Sequence, residues 1–116
     1  ITFNSIHPKW SFLSENDRGE VNFFAEKEPI SDIAIAGFFY FKKGTFFVED
    51  AKKSLFKNAG SSDIFYISPS LNESILKDRS IGREHIGGED YFKFYSLEKI
   101  KEFEISRQSG EGNDQK

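Results

Sequence analysis

The chain has 116 residues, of which 37% are hydrophobic and 30% charged, so it is long enough to bury one modest core. Its formal net charge of -3 offers no basic surface to nucleic acid, and its zero Cys exclude disulfides and thiolate metal sites. No apolar run approaches the roughly 20 residues of a membrane-spanning helix, and the first residues do not form a signal peptide. We therefore expect a cytoplasmic protein that binds neither nucleic acid nor a membrane.

The first part of the chain predicts three strands. A short apolar run from Trp10 to Leu13 precedes a polar turn with Gly19 near its end, and Val21 to Glu26 then predicts a second strand, giving a hairpin. After Pro29, the stretch from Ile33 to Phe41 is nearly continuous in apolar and aromatic residues. Such a run is typical of a strand buried on both faces of a mostly parallel sheet.

Two helices are predicted next. Gly44-Thr45 indicates the start of a helix that runs to Lys57, with acidic residues early and lysines late, as the helix dipole prefers. Its apolar residues recur at helical spacing, and we expect them in the core: Phe46, Phe47, Ala51, Leu55 and Phe56. Ser61 to Asp63 predicts a loop, an apolar run follows it, and Leu71 to Leu76 predicts the second helix.

The remainder predicts two strands, a helix and a tail. Ile81 to Ile86 indicates a weak strand, Tyr91 to Tyr95 alternates aromatic and polar residues, and Ser96 caps a helix from Leu97 to about Phe103. Ser106 to Lys116 is polar and lacks an apolar anchor, so we expect a disordered tail. The order of elements indicates an α/β or α+β fold.

Two strings carry candidate chemistry. Glu26 and Lys27 stand side by side at the end of a predicted strand, where open α/β sheets bind ligands. A lysine suits a phosphate and a glutamate accepts hydrogen bonds from sugar hydroxyls, although a solvated charged turn is the alternative interpretation. Gly37 lies inside the next predicted strand, where glycine marks either the close approach of a ligand or packing against an aromatic ring.

In this order, Ala25-Glu26-Lys27 and the glycine-aromatic stretch from Gly37 to Gly44 resemble the C-terminal half of the sugar-phosphate nucleotidyltransferase family. That family makes activated sugars for capsule, lipopolysaccharide and other surface glycans, and the capsule branch is the most similar. Three further strings fit in register: His7 to Ser11, Phe65 to Pro69 with Asn72, and Ser96 to Ile100. The resemblance implies a Rossmann-like α/β fold with a mixed sheet, in which residues 1–105 form the acceptor half of the domain and residues 106–116 the tail.

The resemblance also implies roles for single residues. Glu26 would bind hydroxyls of the sugar, and Lys27 would hold the phosphate of the sugar phosphate as the catalytic residue. Ile35 and Gly37 would line the sugar pocket. The family uses Mg²⁺, but Lys93 stands where many members have a metal-binding aspartate, so we identify no metal ligand in this chain.

The implied activity is transfer of a nucleoside monophosphate from a nucleoside triphosphate to a sugar phosphate, with release of pyrophosphate. The family's glycine-rich triphosphate loop has no counterpart here, so we expect this chain to be part of a longer enzyme. A half-sheet with an exposed edge would also favour a homo-oligomer. The alternatives are a stand-alone, non-catalytic binding or remnant module and a small immunity-type protein whose acidic surface meets a basic partner.

Overall fold

The structure, a computed structural model, describes residues 1–58, 64–94 and 96–114, with side chains up to residue 110. Within these residues the chain forms four strands, three α-helices and one 3-10 turn at Gly88–Asp90. The strands and helices are β1 (Thr2–Asn4), β2 (Ser11–Glu15), β3 (Val21–Glu26), β4 (Ile33–Ile35), α1 (Gly44–Lys57), α2 (Ile67–Leu76) and α3 (Leu97–Asp114). The predicted α/β class is confirmed.

The four strands form one antiparallel sheet in the order β1-β4-β2-β3. The predicted β2–β3 hairpin is present, but the prediction of a mostly parallel sheet is wrong for this part of the molecule. The long strand expected from Ile33 to Phe41 contains only β4, because the chain turns at Gly37, which has φ +84°. An apolar run specifies burial on both faces but not the direction of the neighbouring strands.

Both faces of the sheet are covered, as expected for β4. On one face, Leu13, Phe24 and Ile35 pack against Leu71 of α2. On the other face, a second cluster contains Phe3, Phe12 and Ala34, with partly buried aromatic and aliphatic side chains packed against it: Trp10, Ile30, Ala36, Ile86 and Tyr91. The sheet therefore separates two apolar layers, and successive residues of each strand contribute to opposite layers.

Helix α1 packs against α2, and the face predicted to be buried is so only in part: Phe46, Phe47 and Ala51 are half-buried, while Leu55 is 51% exposed. Its buried residues are Asp50 and Ser54, while Phe56, expected in the core, is 85% exposed. Asp50 is buried because it has partners: its carboxylate accepts hydrogen bonds from Ser74 Oγ and Lys77 Nζ, and from Arg79 Nη1. The spacing of apolar residues could not reveal this, since the three partners lie outside α1.

The second half of the chain departs further from prediction. Of the two strands expected there, the first contributes only an isolated parallel bridge between His85 and Thr2, and residues 91–94 form no strand. Helix α2 begins at Ile67, earlier than predicted, and α3 continues to Asp114, into the stretch expected to be disordered. Ser96 Oγ accepts the Lys99 backbone N–H at 3.3 Å, which confirms the predicted cap.

Three of the predictions extend to residues outside the described ranges: the loop from Ser61 to Asp63, the end of the alternating stretch at Tyr95, and the last two residues of the predicted tail. Across the ranges that are described, no helix combines the length and apolar character that crossing a membrane requires.

Candidate functional site

A row of four residues runs across the sheet and contains two of the predicted site residues. Thr2 pairs with Ile35, Ile35 with Ser11, and Ser11 with Glu26. Directly opposed residues of neighbouring strands project from the same face, so Ile35 and Glu26 share the face that carries α2. With Ser11 between them, their strands are two inter-strand spacings apart, about 10 Å.

Ser11 fixes the carboxylate at the end of β3. Its hydroxyl donates a hydrogen bond to Glu26 Oε2, and both residues are half-buried. A carboxylate has two acceptor oxygens, so this bond orients Glu26 and leaves it capacity for further donors. Strand alternation places Ser11 on the same face as residue 13, and this is the signal that the sequence offered for Ser11. Its pairing with Glu26 depends on the register between β2 and β3, which only the structure gives.

Lys27 follows β3 in a left-handed conformation, with φ +55°. Non-glycine residues adopt this region at a cost, and the surrounding contacts hold Lys27 there. Its backbone N–H donates to the Trp10 carbonyl at 2.9 Å, and its Nζ donates to the Tyr66 hydroxyl at 2.9 Å. The turn thus breaks the alternation of the strand and directs the ammonium toward the start of α2.

The ammonium of Lys27 is stabilised in its charged form. The hydrogen bond to Tyr66 raises the pKa of Lys27 above its usual 10.5, and electrostatic attraction by Tyr66 and by Glu26 adds to the increase. The Nζ atom also lies 5.1 Å from the centroid of the Tyr66 ring. Lys27 itself is exposed and Tyr66 is half-buried, so the site presents an oriented cation at the surface.

The other two predicted site residues are Ile35 and Gly37. Ile35 is only 6% exposed and belongs to the core cluster, where it lines a cavity of about 670 Å³ together with Leu13 and Phe24. Gly37 lies beyond β4 with φ +84°, and nothing lies within 4 Å of the position that a Cβ would take. Neither Glu26 nor Lys27 lines that cavity.

Tyr66 and Asn72 are the residues that sequence reasoning did not assign to this site. Asn72 on α2 accepts the Phe24 N–H at 2.8 Å and donates to the Phe24 carbonyl at 2.9 Å. Because β3 is at the edge of the sheet, these two groups have no strand partner, and the Asn72 amide substitutes for one. This pairing docks α2 on β3 and so brings Tyr66 to Lys27.

Among the residues that the structure describes, no group of three or more His, Asp or Glu side chains is arranged to hold a metal ion. Glu89 and Asp90, two carboxylates shortly before Lys93 in the sequence, lie exposed on the 3-10 turn. Lys93, which stands where a metal-binding aspartate was expected, places its Nζ 4.7 Å from the centroid of the Trp10 ring.

Comparisons with known proteins identify the fold. No protein-family model matches the chain, and no curated protein is significantly similar to it. A solved structure, the nucleoside-diphosphate-sugar pyrophosphorylase from Vibrio cholerae RC9, superposes with a TM-score of 0.79 and 24% sequence identity. The match covers 88% of this chain and 43% of the pyrophosphorylase, so the chain spans less than half the length of that protein. The antiparallel sheet and its helices therefore have the fold of part of this pyrophosphorylase.

Proposed function

We propose that this chain is the acceptor-binding, C-terminal half of a cytoplasmic nucleotidyltransferase of surface-glycan synthesis. The reaction joins a nucleoside monophosphate, taken from a nucleoside triphosphate, to a sugar phosphate. The observation that carries the proposal is the pairing of Lys27 with Tyr66 beside Glu26, at the end of β3. The fold shared with a pyrophosphorylase supports the same reaction class.

In this reaction a phosphate oxygen of the sugar phosphate attacks the α-phosphorus of the triphosphate. The new oxygen–phosphorus bond forms as the bond to the leaving pyrophosphate breaks, and the electron pair departs with the pyrophosphate. Both reactants are anions, so positioning and charge neutralisation supply most of the catalysis. Lys27 contributes both, because a lysine side chain is charged at neutral pH and Tyr66 orients this ammonium.

Glu26 would orient the sugar. Its carboxylate is held by Ser11 and still has acceptor capacity for sugar hydroxyls. The space beside Gly37 is open, which would let a sugar ring approach the backbone there. Ile35 lines the cavity on the same face of the sheet, where it would form an apolar wall of the sugar pocket.

Magnesium is part of the proposal only through the nucleotide. Mg²⁺ is commonly held by one or two carboxylates together with substrate phosphates, and the family resemblance identifies no such carboxylate in this chain. We therefore assign the metal to the nucleotide phosphates and assign no step to it here.

The test is a pyrophosphate-release assay on the protein as its source cell produces it, with a panel of nucleoside triphosphates and sugar 1-phosphates. We expect Lys27→Ala to lower kcat/KM on the order of 100-fold, the scale for losing one charge-stabilising contact. Lys53→Ala is the matched control, because Lys53 is an exposed lysine on α1 away from the pair. Turnover near the wild-type level in Lys27→Ala would refute the role of Lys27.

Pyrophosphate release separates this function from a non-catalytic one. A protein that binds sugar phosphates through Lys27 without releasing pyrophosphate with any triphosphate would be a binding module. Loss of sugar-phosphate binding in Lys27→Ala, measured by calorimetry, would still assign the site in that case.

A further inference from the structure

The cavity of about 670 Å³ beside Ile35 has apolar walls. They are side chains of the sheet, of α2 and of the segment that follows β4, and they belong to the core cluster or pack against it: Leu13, Phe24, Ile35, Phe39, Phe41 and Leu71. The volume is in the range of small-molecule sites, which combine apolar walls with a few placed polar groups. The polar side chains of this cavity therefore decide which ligand it accepts.

On the side of α2, the polar side chains of the wall are already bonded. Ser74 Oγ donates a hydrogen bond to the buried carboxylate of Asp50, and Arg79 Nη1 donates to the same carboxylate at 2.9 Å. Arg79 also donates to Glu49 at 3.2 Å, and its Cζ lies 3.8 Å from the centroid of the Phe46 ring. Two carboxylates thus neutralise the charge of Arg79, and the Ser74 hydroxyl has donated its one proton.

On the side of β1, the polar side chains are bonded or covered. Thr2 is 2% exposed, and its hydroxyl lies 3.0 Å from His85 Nδ1 and 3.2 Å from Arg83 Nη1. Arg83 Nη2 forms an ion pair with Glu15 at 2.9 Å. Arg83 Nε has no hydrogen-bond partner among the described residues, but it is fully buried, so a ligand in the cavity does not reach it.

The remaining polar side chains that line the cavity are exposed, so they lie at its opening. Within the described part of the chain they are Tyr40, Lys42, Ser80 and Glu84. Hydroxyls of a ligand find donors and acceptors there and in water. A hydroxyl against Phe24, Ile35 or Leu71 has no side-chain partner and loses its hydration, whereas a methyl group gains free energy by leaving water. The cavity therefore favours a ligand with an apolar group at its inner end.

The cavity lies within reach of the Lys27 site along two elements. Phe24 of the cavity wall precedes Glu26 by two residues and projects from the same face of β3, which separates them by about 7 Å. Leu71 follows Tyr66, the N-cap of α2, by five residues, a rise of about 7.5 Å. An acceptor whose phosphate is bound by Lys27 can therefore extend its other end into the cavity.

We infer that the acceptor carries a methyl-bearing group, rather than a hydroxyl, at the end that enters this cavity. The inference rests on the proposed function and narrows its acceptor from sugar phosphates in general to those with an apolar substituent. A 6-deoxy sugar and an N-acetylated sugar both present such a methyl group. Phe24, Ile35 and Leu71 are then the residues that determine which acceptor is used.

Binding of matched ligands, measured by calorimetry, tests the inference. Glucose, galactose and mannose 1-phosphates would each be compared with their 6-deoxy and 2-acetamido-2-deoxy derivatives. We expect one derivative to bind about 10- to 100-fold tighter than its parent, the range that one apolar group or one misplaced hydroxyl sets in an apolar pocket. Which derivative binds tighter identifies the substituent. Equal, weaker or absent binding of both derivatives in every series would overturn the inference.

Threonine substitutions in the cavity wall supply the hydroxyl partner that it lacks. Ile35→Thr and Ile81→Thr should each reduce the preference for the methyl-bearing ligand several-fold. Ile81 is half-buried, so its replacement provides the test if Ile35→Thr does not fold. Ile33→Thr is the matched control, because Ile33 shares the face of Ile35 on β4 and packs against the same cluster but is not among the lining residues. We expect this control to keep the wild-type preference, and a preference that survives in both cavity variants would overturn the inference.

The two proposals fail separately. Turnover that depends on Lys27 but shows no preference for a methyl-bearing acceptor would remove the inference and leave the proposed function standing. A methyl-dependent preference in binding, without pyrophosphate release from any triphosphate, would remove the transfer reaction and leave the cavity as the site that selects the ligand.

Discussion

Replacement of Asp50 by alanine should destabilise the protein by about 3 kcal/mol, the lower end of the cost of breaking a buried ion pair. Asp50 is 1% exposed, and its carboxylate lies 2.9 Å from Lys77 Nζ and 2.9 Å from Arg79 Nη1. Ser74 donates a third hydrogen bond. The lower end applies because the side chains of Lys77 and Arg79 are 29% and 21% exposed and would regain part of their hydration.

Glu49 is the matched control, since it precedes Asp50 on α1 and meets the same two cations. Its side chain is 60% exposed, and its carboxylate lies 3.2 Å from Arg79 and 3.8 Å from Lys77. We expect Glu49→Ala to cost less than about 1 kcal/mol, as exposed ion pairs do. Urea unfolding followed by circular dichroism measures both values. Equal losses in the two variants would refute the argument, which attributes the difference between them to burial.

The pH dependence gives Asp50 an independent test. Burial by itself raises the pKa of the Asp50 carboxyl, but hydrogen bonds from Ser74 and Lys77 and the charges of Arg79 and Lys77 outweigh it, so the pKa lies below 3.8. The folded state therefore binds this proton more weakly than the unfolded state. The contribution of the Asp50 carboxylate to the stability of the fold is complete above pH 3.8 and is lost as the pH falls through the folded-state pKa. Asp50→Ala should lack this part of the acid destabilisation, and an unchanged difference between wild type and variant at low pH would contradict the assignment.

Three further predictions concern the candidate site and its supports. Tyr66→Phe removes the hydroxyl that orients Lys27, so KM for the sugar phosphate should rise several-fold in steady-state kinetics, and an unchanged KM would show that Lys27 needs no such partner. Asn72→Ala leaves the N–H and carbonyl of Phe24 unpaired at the edge of β3, so the free energy of unfolding in urea should fall by about 2 kcal/mol. A fall of less than about 0.5 kcal/mol would contradict the role of Asn72 in docking α2. Gly37→Ala should lower the free energy of unfolding by about 1–2 kcal/mol in the same measurement, because a residue with a side chain disfavours the φ of +84° even though the space around it is open. An unchanged free energy of unfolding would show that the backbone relaxes.

Local patterns in the amino-acid sequence are sufficient to determine several elements of this protein. The polar turn between a short apolar run and a predicted strand predicted the β2–β3 hairpin, and Ser96 before the last predicted helix predicted the cap of α3. The adjacency of Glu26 and Lys27 is likewise a property of the chain, and so is the position of the pair at the end of a strand. Each of these depends on residues close together in sequence, so the sequence contains the needed information.

The tertiary structure decided what depends on distant partners. Apolar character predicted that β4 is buried, but the antiparallel direction of its neighbours depends on which strands pair. The burial of Asp50 and the exposure of Phe56 follow from the packing of α1 on α2, where cations and a hydroxyl meet the carboxylate. Lys27 gains its orientation only when α2 docks on the edge of β3, because Tyr66 is 39 residues away along the chain. Periodicity reports which side of an element is buried, whereas hydrogen bonds across such separations form only once the elements have packed.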